Sequence, residues 1–403
     1  MMTDARRVGQ VDFGSEAFLA DPYPAYQWLR EEAPVYWMPF ASGYGGMWLV
    51  SRYDDVVDTL REPLLSKDFS RFAPDEALTP FNHAMLFRDP PDHTRLRGLV
   101  NLAFTPRHVE QLKPRIAALV DDLLAAMAGR QEVDFIADFA LPLPVAVIAE
   151  LLGVPREHGP QFSVWSQAII AASDGSRISE ALIVASQEAE AALGAYLTDL
   201  IAERRQRPQK DMISDLIRAR DGANSLSEKE LLGTCILLLV AGHETTVNLL
   251  GNGLLTLLRH PQQMALLRDN PDLAPTAVEE MLRYESPVQR ATQRFAMAPL
   301  EIGGQEIEAG QQVSALLGAA NRDVSRFSDP ERFDIRRKRN RHLAFGFGIH
   351  FCLGAPLARV EAALAFPRLL QRFPDLSLLD EAPQWRANTF MRGLRKLRLA
   401  ISD

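Results

Sequence analysis

A mainly α fold with small β-sheets is what this 403-residue chain predicts. Three observations lead there. Apolar residues recur at three- and four-residue spacing in several long stretches, whereas segments with β character are few and short. The 26 prolines and 24 glycines are scattered, with no linker, repeat or homopolymer between them. Length alone suggests roughly two to three domains. The unbroken pattern favours one unit over residues 1–403, with minor β segments near 35–55, near 287–320 and at the C-terminus.

Taken in order, MWLVSRY around Val50 alternates as a half-buried strand. Ile116, Leu119, Val120, Leu123, Leu124 and Met127 mark one face of an amphipathic helix over 113–127. Leu193, Leu197, Leu200 and Ile201 mark another, stopped by RRQRPQKD. Ser227 and Glu230 form a capping-box pattern, after which LLGTCILLLVAGHETTVNLLGNGLLTLLRH runs to His260. Apolar nearly all round before Ala241, this helix should pass through the core. Gly242, His243, Glu244 and two threonines cut its apolar run to about a dozen residues, short of the roughly 20 a membrane span needs. EIGGQEI reads as a hairpin turning at Gly303-Gly304, and QQVSALLGA as a further strand. APLARVEAALAFPRLL closes the helical pattern.

At 24 % charged and 47 % hydrophobic residues the composition is that of a soluble globular protein. A net charge of −8 argues against nucleic-acid binding by phosphate attraction. The two cysteines, Cys235 and Cys352, are too few for a disulfide scaffold or a four-cysteine zinc site. The opening MMTDARRVGQVDFG has no apolar run, so no signal peptide or membrane anchor is expected and a cytoplasmic setting is the default.

Around Cys352 the chain reads HLAFGFGIHFCLGAPLARVEAAL. Gly346, Gly348 and Gly354 make a loop that can approach a ligand closely, and Pro356 fits the first turn of the helix that follows. Cys352 would sit at a helix N-terminus, where free N–H groups and the dipole favour a thiolate. Taken alone, a free cysteine is most often a small buried apolar residue. The wider pattern reverses this. Phe345-x-x-Gly348-x-x-x-Cys352-x-Gly354 resembles the haem-binding loop of the cytochrome P450 superfamily, and those four residues meet by chance in roughly one chain in a thousand of this length.

The resemblance, to a soluble bacterial member, spans nearly the whole chain and implies one haem b held through Cys352 as axial iron ligand, with Phe345 shielding the sulfur. Glu280-x-x-Arg283 in VEEMLRYESP matches the superfamily's Glu-x-x-Arg helix, and Arg332 in FSDPERFD falls where a second arginine joins that buried network. Ala241-Gly242-His243-Glu244-Thr245-Thr246 fits the oxygen-binding signature. There Ala241 and Gly242 leave room beside the iron, the helix distorts, and Glu244 and Thr245 are the acid–alcohol pair that relays protons. His243 reads as structural. His93, Arg97, Arg294 and His350 match positions that bind the haem propionates.

Nothing in the chain reads as a nicotinamide or flavin site. Electrons are therefore expected from a separate ferredoxin or flavodoxin with its reductase, docking near RRKRNRH, which opens on Arg336 and closes on His342, with Arg107, Lys113 and Arg115 alongside. Segments 71–87, 163–175, 238–242, 288–292 and 388–391 would contact a small, largely apolar organic substrate, with Arg290 or Arg71 available to a polar group. The implied reaction inserts one atom of O2 by hydroxylation or epoxidation. A peroxide-driven haem-thiolate peroxygenase and a non-catalytic haem-thiolate sensor are the alternatives.

Overall fold

Ser227 opens the longest helix, Glu228–Arg259. Its hydroxyl accepts the Glu230 amide at 3.3 Å and the Glu230 carboxylate accepts the Ser227 amide at 2.8 Å, a reciprocal cap. Its 32 residues extend about 48 Å. Helices Pro142–Leu152, Gly159–Ala171, Glu180–Gln206, Ala274–Tyr284 and Ala355–Arg372 all pack against it. This central helix is, against expectation, long and apolar enough to span a membrane. Burial decides its role: 67 % of its most apolar window is enclosed by protein, as in a core helix. The expected distortion near Ala241–Thr246 does not break it; the α-helix is continuous from end to end.

The computed structural model describes residues 11–402 except 42–44, 73, 75–77, 175–178, 222–223 and 381. Most of the opening stretch read for apolar runs, and parts of segments 71–87 and 163–175, thus lie outside the described residues.

The helix predicted over 113–127 starts earlier, as Pro106–Met127, where the Thr105 side chain accepts the His108 amide. Pro114 obscures that start in sequence, because a proline usually ends a helix; here it removes one donor from a 22-residue helix. This helix packs along Ala355–Arg372.

The β structure is sparse. Strands Val35–Pro39 and Gly46–Val50 pair antiparallel with Trp37 opposite Trp48, whose rings lie 5.2 Å apart. Gln312–Ala315 joins Gly46–Val50 in parallel, and Arg294–Ala296 and Leu65–Ser66 complete a five-stranded sheet. The two-residue strand Leu65–Ser66 had no readable signal. Leu300–Ile302 and Gln305–Ile307 form the expected hairpin. Glu132–Asp134, Ser377–Leu378 and Arg398–Ala400 make a three-stranded sheet near the C-terminus. The largest core cluster joins the helices and the segment preceding Ala355, which sets the cysteine loop beside the central helix.

Candidate active site

The cysteine loop owes its shape to two glycines. Gly346 and Gly348 take φ of +72° and +74°, and a Cβ at Gly348 would lie 3.1 Å from the Leu60 carbonyl oxygen. The loop closes where the Cys352 amide donates to the Phe345 carbonyl at 3.0 Å. Arg97 Nη1 donates to the Phe351 carbonyl at 2.9 Å, tying the residue before the cysteine to the helix Asp92–Ala103. The Phe345 ring lies under the Arg359 guanidinium at 4.6 Å.

Cys352 and Phe345 open onto a cavity whose atom-free space, counting the part open to solvent, is about 1510 Å³. Burial pushes the Cys352 thiol up, outweighing the amides of Gly354 and Ala355 at the helix start and the charges of Arg97 and Arg359. The amides at the helix start favour the thiolate, as the position in sequence had suggested, but do not by themselves offset burial. A cation bound at the sulfur would supply what is missing.

Ala241, Gly242, Thr245 and Thr246 line the same cavity from the central helix. The Thr245 hydroxyl donates to the Ala241 carbonyl at 2.9 Å, leaving its lone pairs free to accept a proton donor. Glu244 points elsewhere. It is buried off the cavity, with Oε2 accepting Arg386 Nη1 at 2.9 Å and Oε1, which has no hydrogen-bond partner among the described residues, 3.8 Å from His243 Nε2. His243 is fully buried, bonded through Nδ1 to the Leu239 carbonyl at 2.8 Å.

A basic end completes the cavity. His93, Arg97, Arg294 and His350 all line it, with the two imidazole rings 4.3 Å apart. Neither ring nitrogen of buried His93 has a partner among the described residues. Burial, then the charges of Arg97 and Lys67, push His93 down to about 4. Burial also lowers Arg294, to about 10, which leaves it charged at neutral pH. Lys67, absent from the sequence expectations, shares this wall and is 2 % exposed. Arg290 and Arg71 do not line the cavity: Arg290 Nη2 donates to the Ser173 carbonyl at 3.0 Å, and Arg71 pairs with Asp89 at 3.5 Å.

The buried network beneath the site differs from expectation in one member. Arg283 forms two bonds of 2.8 Å to Glu280, and it also donates to the carbonyls of Asn321, Pro330 and Arg332. The second guanidinium on Glu280 belongs to Arg337, at 3.1 Å to both carboxylate oxygens. The Arg332 side chain is 65 % exposed and contributes only its carbonyl, because the turn after Pro330 aims it at solvent and Asp334. The basic run is thinned accordingly. Arg337 is internal, and His342 pairs with Glu279 at 3.2 Å, while Arg336, Lys338, Arg339 and Arg341 stay exposed. Arg115 and Lys113 pair with Glu150 and Glu110.

Of the missed residues, Arg337 carried a signal, a basic run shortly after Glu280-x-x-Arg283; Lys67 and Arg386 meet their neighbours only through tertiary folding. The donor set fits haem: a lone cavity thiol, small residues on the central helix, and buried cations with bare imidazoles where two carboxylates need partners.

Comparisons with known proteins agree. A family profile described as Cytochrome P450 matches residues 169–394. The chain is 47 % identical over 401 residues to Cytochrome P450 107B1 of Saccharopolyspora erythraea, covering 95 % of each. It is 46 % identical to cytochrome P450 monooxygenase PikC of Streptomyces venezuelae, covering 96 % of this chain and 93 % of that one. The solved structure of the Bacillus subtilis bacillaene polyketide synthase cytochrome P450 PksS superposes with a TM-score of 0.91 at 40 % identity, covering 98 % and 100 % of the two chains.

Proposed function

This chain belongs to the cytochrome P450 family and is a haem b monooxygenase, and from that premise we propose that Cys352 is its iron ligand and a small, largely apolar organic molecule its substrate. The carrying observation is convergence: a free thiol, the Ala241–Thr245 wall and a cluster of buried cations meet in one cavity. The haem, bound through Cys352, supplies dioxygen activation and oxygen-atom transfer. One oxygen atom enters the substrate as a hydroxyl or epoxide and the other leaves as water, with two electrons and two protons consumed.

The protein's own part is to bind, orient and move protons. Met85, Leu86, Leu238, Val288 and Ala291 give the cavity apolar walls, and the engagement of Arg290 and Arg71 elsewhere leaves it without a cation from either. Relatives fit such a pocket: one is named vitamin D(3) 25-hydroxylase and another was solved with testosterone. Thr245 offers its hydroxyl to the cavity as an acceptor, and Glu244, held off the cavity by Arg386 on a side where the arginine is a quarter exposed, is the acid through which protons enter once it turns from that arginine. Ala241 and Gly242 keep the space beside that hydroxyl open.

The chain works as one cytoplasmic unit over 1–403. Its largest core cluster draws on residues from Ala84 to Ile401, and two free cysteines suit a reducing compartment. Electrons come from a separate acidic ferredoxin or flavodoxin with its reductase, docking on Arg336, Lys338, Arg339 and Arg341.

A spectral titration with apolar compounds, followed by turnover of the binders, tests this reading. Product formed with O2 and a reduced ferredoxin, at close to one NAD(P)H per product, is expected. Product formed only with hydrogen peroxide would make the protein a peroxygenase, and gas binding without turnover would make it a sensor.

A further inference from the structure

Lys67 is the cation that the family resemblance leaves without a task. It follows the strand Leu65–Ser66, is 2 % exposed, and lines the cavity beside His93, Arg97, Arg294 and His350. Among the described residues its ammonium has no hydrogen bond or ion pair. A buried, unpartnered ammonium is costly, so an anion in the space it faces would stabilise it.

The nearest acid does not supply that partner. Asp89 accepts the backbone amide of Lys67 at 3.0 Å and the Ser66 hydroxyl, and its remaining contact is Arg71 at 3.5 Å. Asp89 therefore fixes the backbone of Lys67 while the side chain continues into the cavity wall. The charges at this end are unequal. Asp89 is the carboxylate that bears on Lys67 and Arg294 and it is already engaged by Arg71, while burial and then the Arg294 charge push the Lys67 ammonium well down. An anion bound at this end would favour the charged form of Lys67.

We propose that Lys67 is a cofactor-positioning residue whose ammonium binds one of the two haem carboxylates. The proposal rests on those carboxylates lying at the His93–Arg97–Arg294 end. The contact is charge-assisted and shielded from water, so it contributes more than a surface pair does. It also links cofactor to substrate. The segment that begins at Lys67 continues to Met85 and Leu86 in the substrate wall, so a seated carboxylate restrains the start of that segment.

Apoproteins of the wild type, Lys67→Met and Arg97→Leu, each loaded with haem or with its dimethyl ester, provide the test. Haem loss to excess apomyoglobin is measured for each. The ester keeps iron and macrocycle but carries no carboxylate charge, so the comparison isolates the ionic contact from general damage to the fold. With haem, K67M is expected to lose its cofactor roughly 10- to 100-fold faster than wild type. With the ester the two should agree within about twofold, and Lys67→Arg should recover most of the retention. If R97L discriminates between the cofactors and K67M does not, Lys67 has no carboxylate contact. If neither discriminates, the carboxylates lie elsewhere and the proposal falls with that placement. Should K67M not fold, Lys67→Gln, which keeps part of the stem but no charge, goes through the same cycle with the same expected outcomes.

Discussion

Thr245 shows how one side chain can serve a helix and a reaction together. Its hydroxyl hydrogen is committed to the Ala241 carbonyl, so its lone pairs face the cavity as acceptors. Thr245→Ala should keep NAD(P)H consumption but divert it to hydrogen peroxide, lowering product per NAD(P)H roughly tenfold or more, and Thr245→Ser should restore coupling. Unchanged coupling in T245A would remove the hydroxyl from proton delivery. Cys352, Thr245, Glu244 and the set His93, Arg97, Arg294 and His350 could be named from sequence because each lies in a short local pattern, and the structure brings all of them but Glu244 to one cavity. Lys67 and Arg386 were not, since the first meets His93 and the second meets Glu244 only after folding brings distant segments together. The orientation of Glu244, away from the cavity toward Arg386, was equally invisible, because neighbouring residues on a helix do not face the same way.

The elements that hold the site are tied by charges rather than by apolar packing alone. Glu280 on the helix Ala274–Tyr284 anchors Arg283 from its own helix and Arg337 from the segment before the cysteine loop. Glu280→Gln removes the counter-charge of the buried Arg283 and the half-buried Arg337 and should cost about 3–5 kcal/mol in urea unfolding. Arg332→Ala should change stability by no more than about 0.5 kcal/mol, since its side chain is largely solvated. Equal losses for the two would return Arg332 to the network. Sequence periodicity found the central helix, its cap and the hairpin, where local chemistry and final structure agree. It misplaced the start of the helix Pro106–Met127 and missed Leu65–Ser66, where a proline in the helix and partners distant in sequence govern the outcome.

Across the whole molecule, an acidic chain presents a local basic surface, Arg336, Lys338, Arg339 and Arg341, just ahead of the cysteine loop. Reversing Lys338 and Arg339 to glutamate should raise the KM for a reduced ferredoxin about tenfold at low salt, with the difference shrinking as salt rises. A KM that does not move would place docking elsewhere. The interior also carries a pH-sensitive group. Burial pushes the Glu361 carboxyl up to about 8, so its neutral form contributes stability that is fully present below about pH 4.5 and is lost as pH rises through about 8. The Tm advantage of Glu361→Gln over wild type should therefore grow from pH 6 to pH 9; an advantage independent of pH would show that Glu361 titrates normally.

The central claim is that one of two free thiols is the iron ligand and the other is inert core. Cys235, fully buried in the central helix with its thiol pushed up to about 12, has no route to the cavity chemistry. The direct measurement is the absorption spectrum of the reduced, carbon monoxide-bound protein. Cys235→Ala should keep the red-shifted Soret band of a thiolate-ligated haem, and Cys352→Ala should lose it. A red-shifted band that survives in C352A, or that disappears in C235A, would contradict the assignment on which the rest of the mechanism depends.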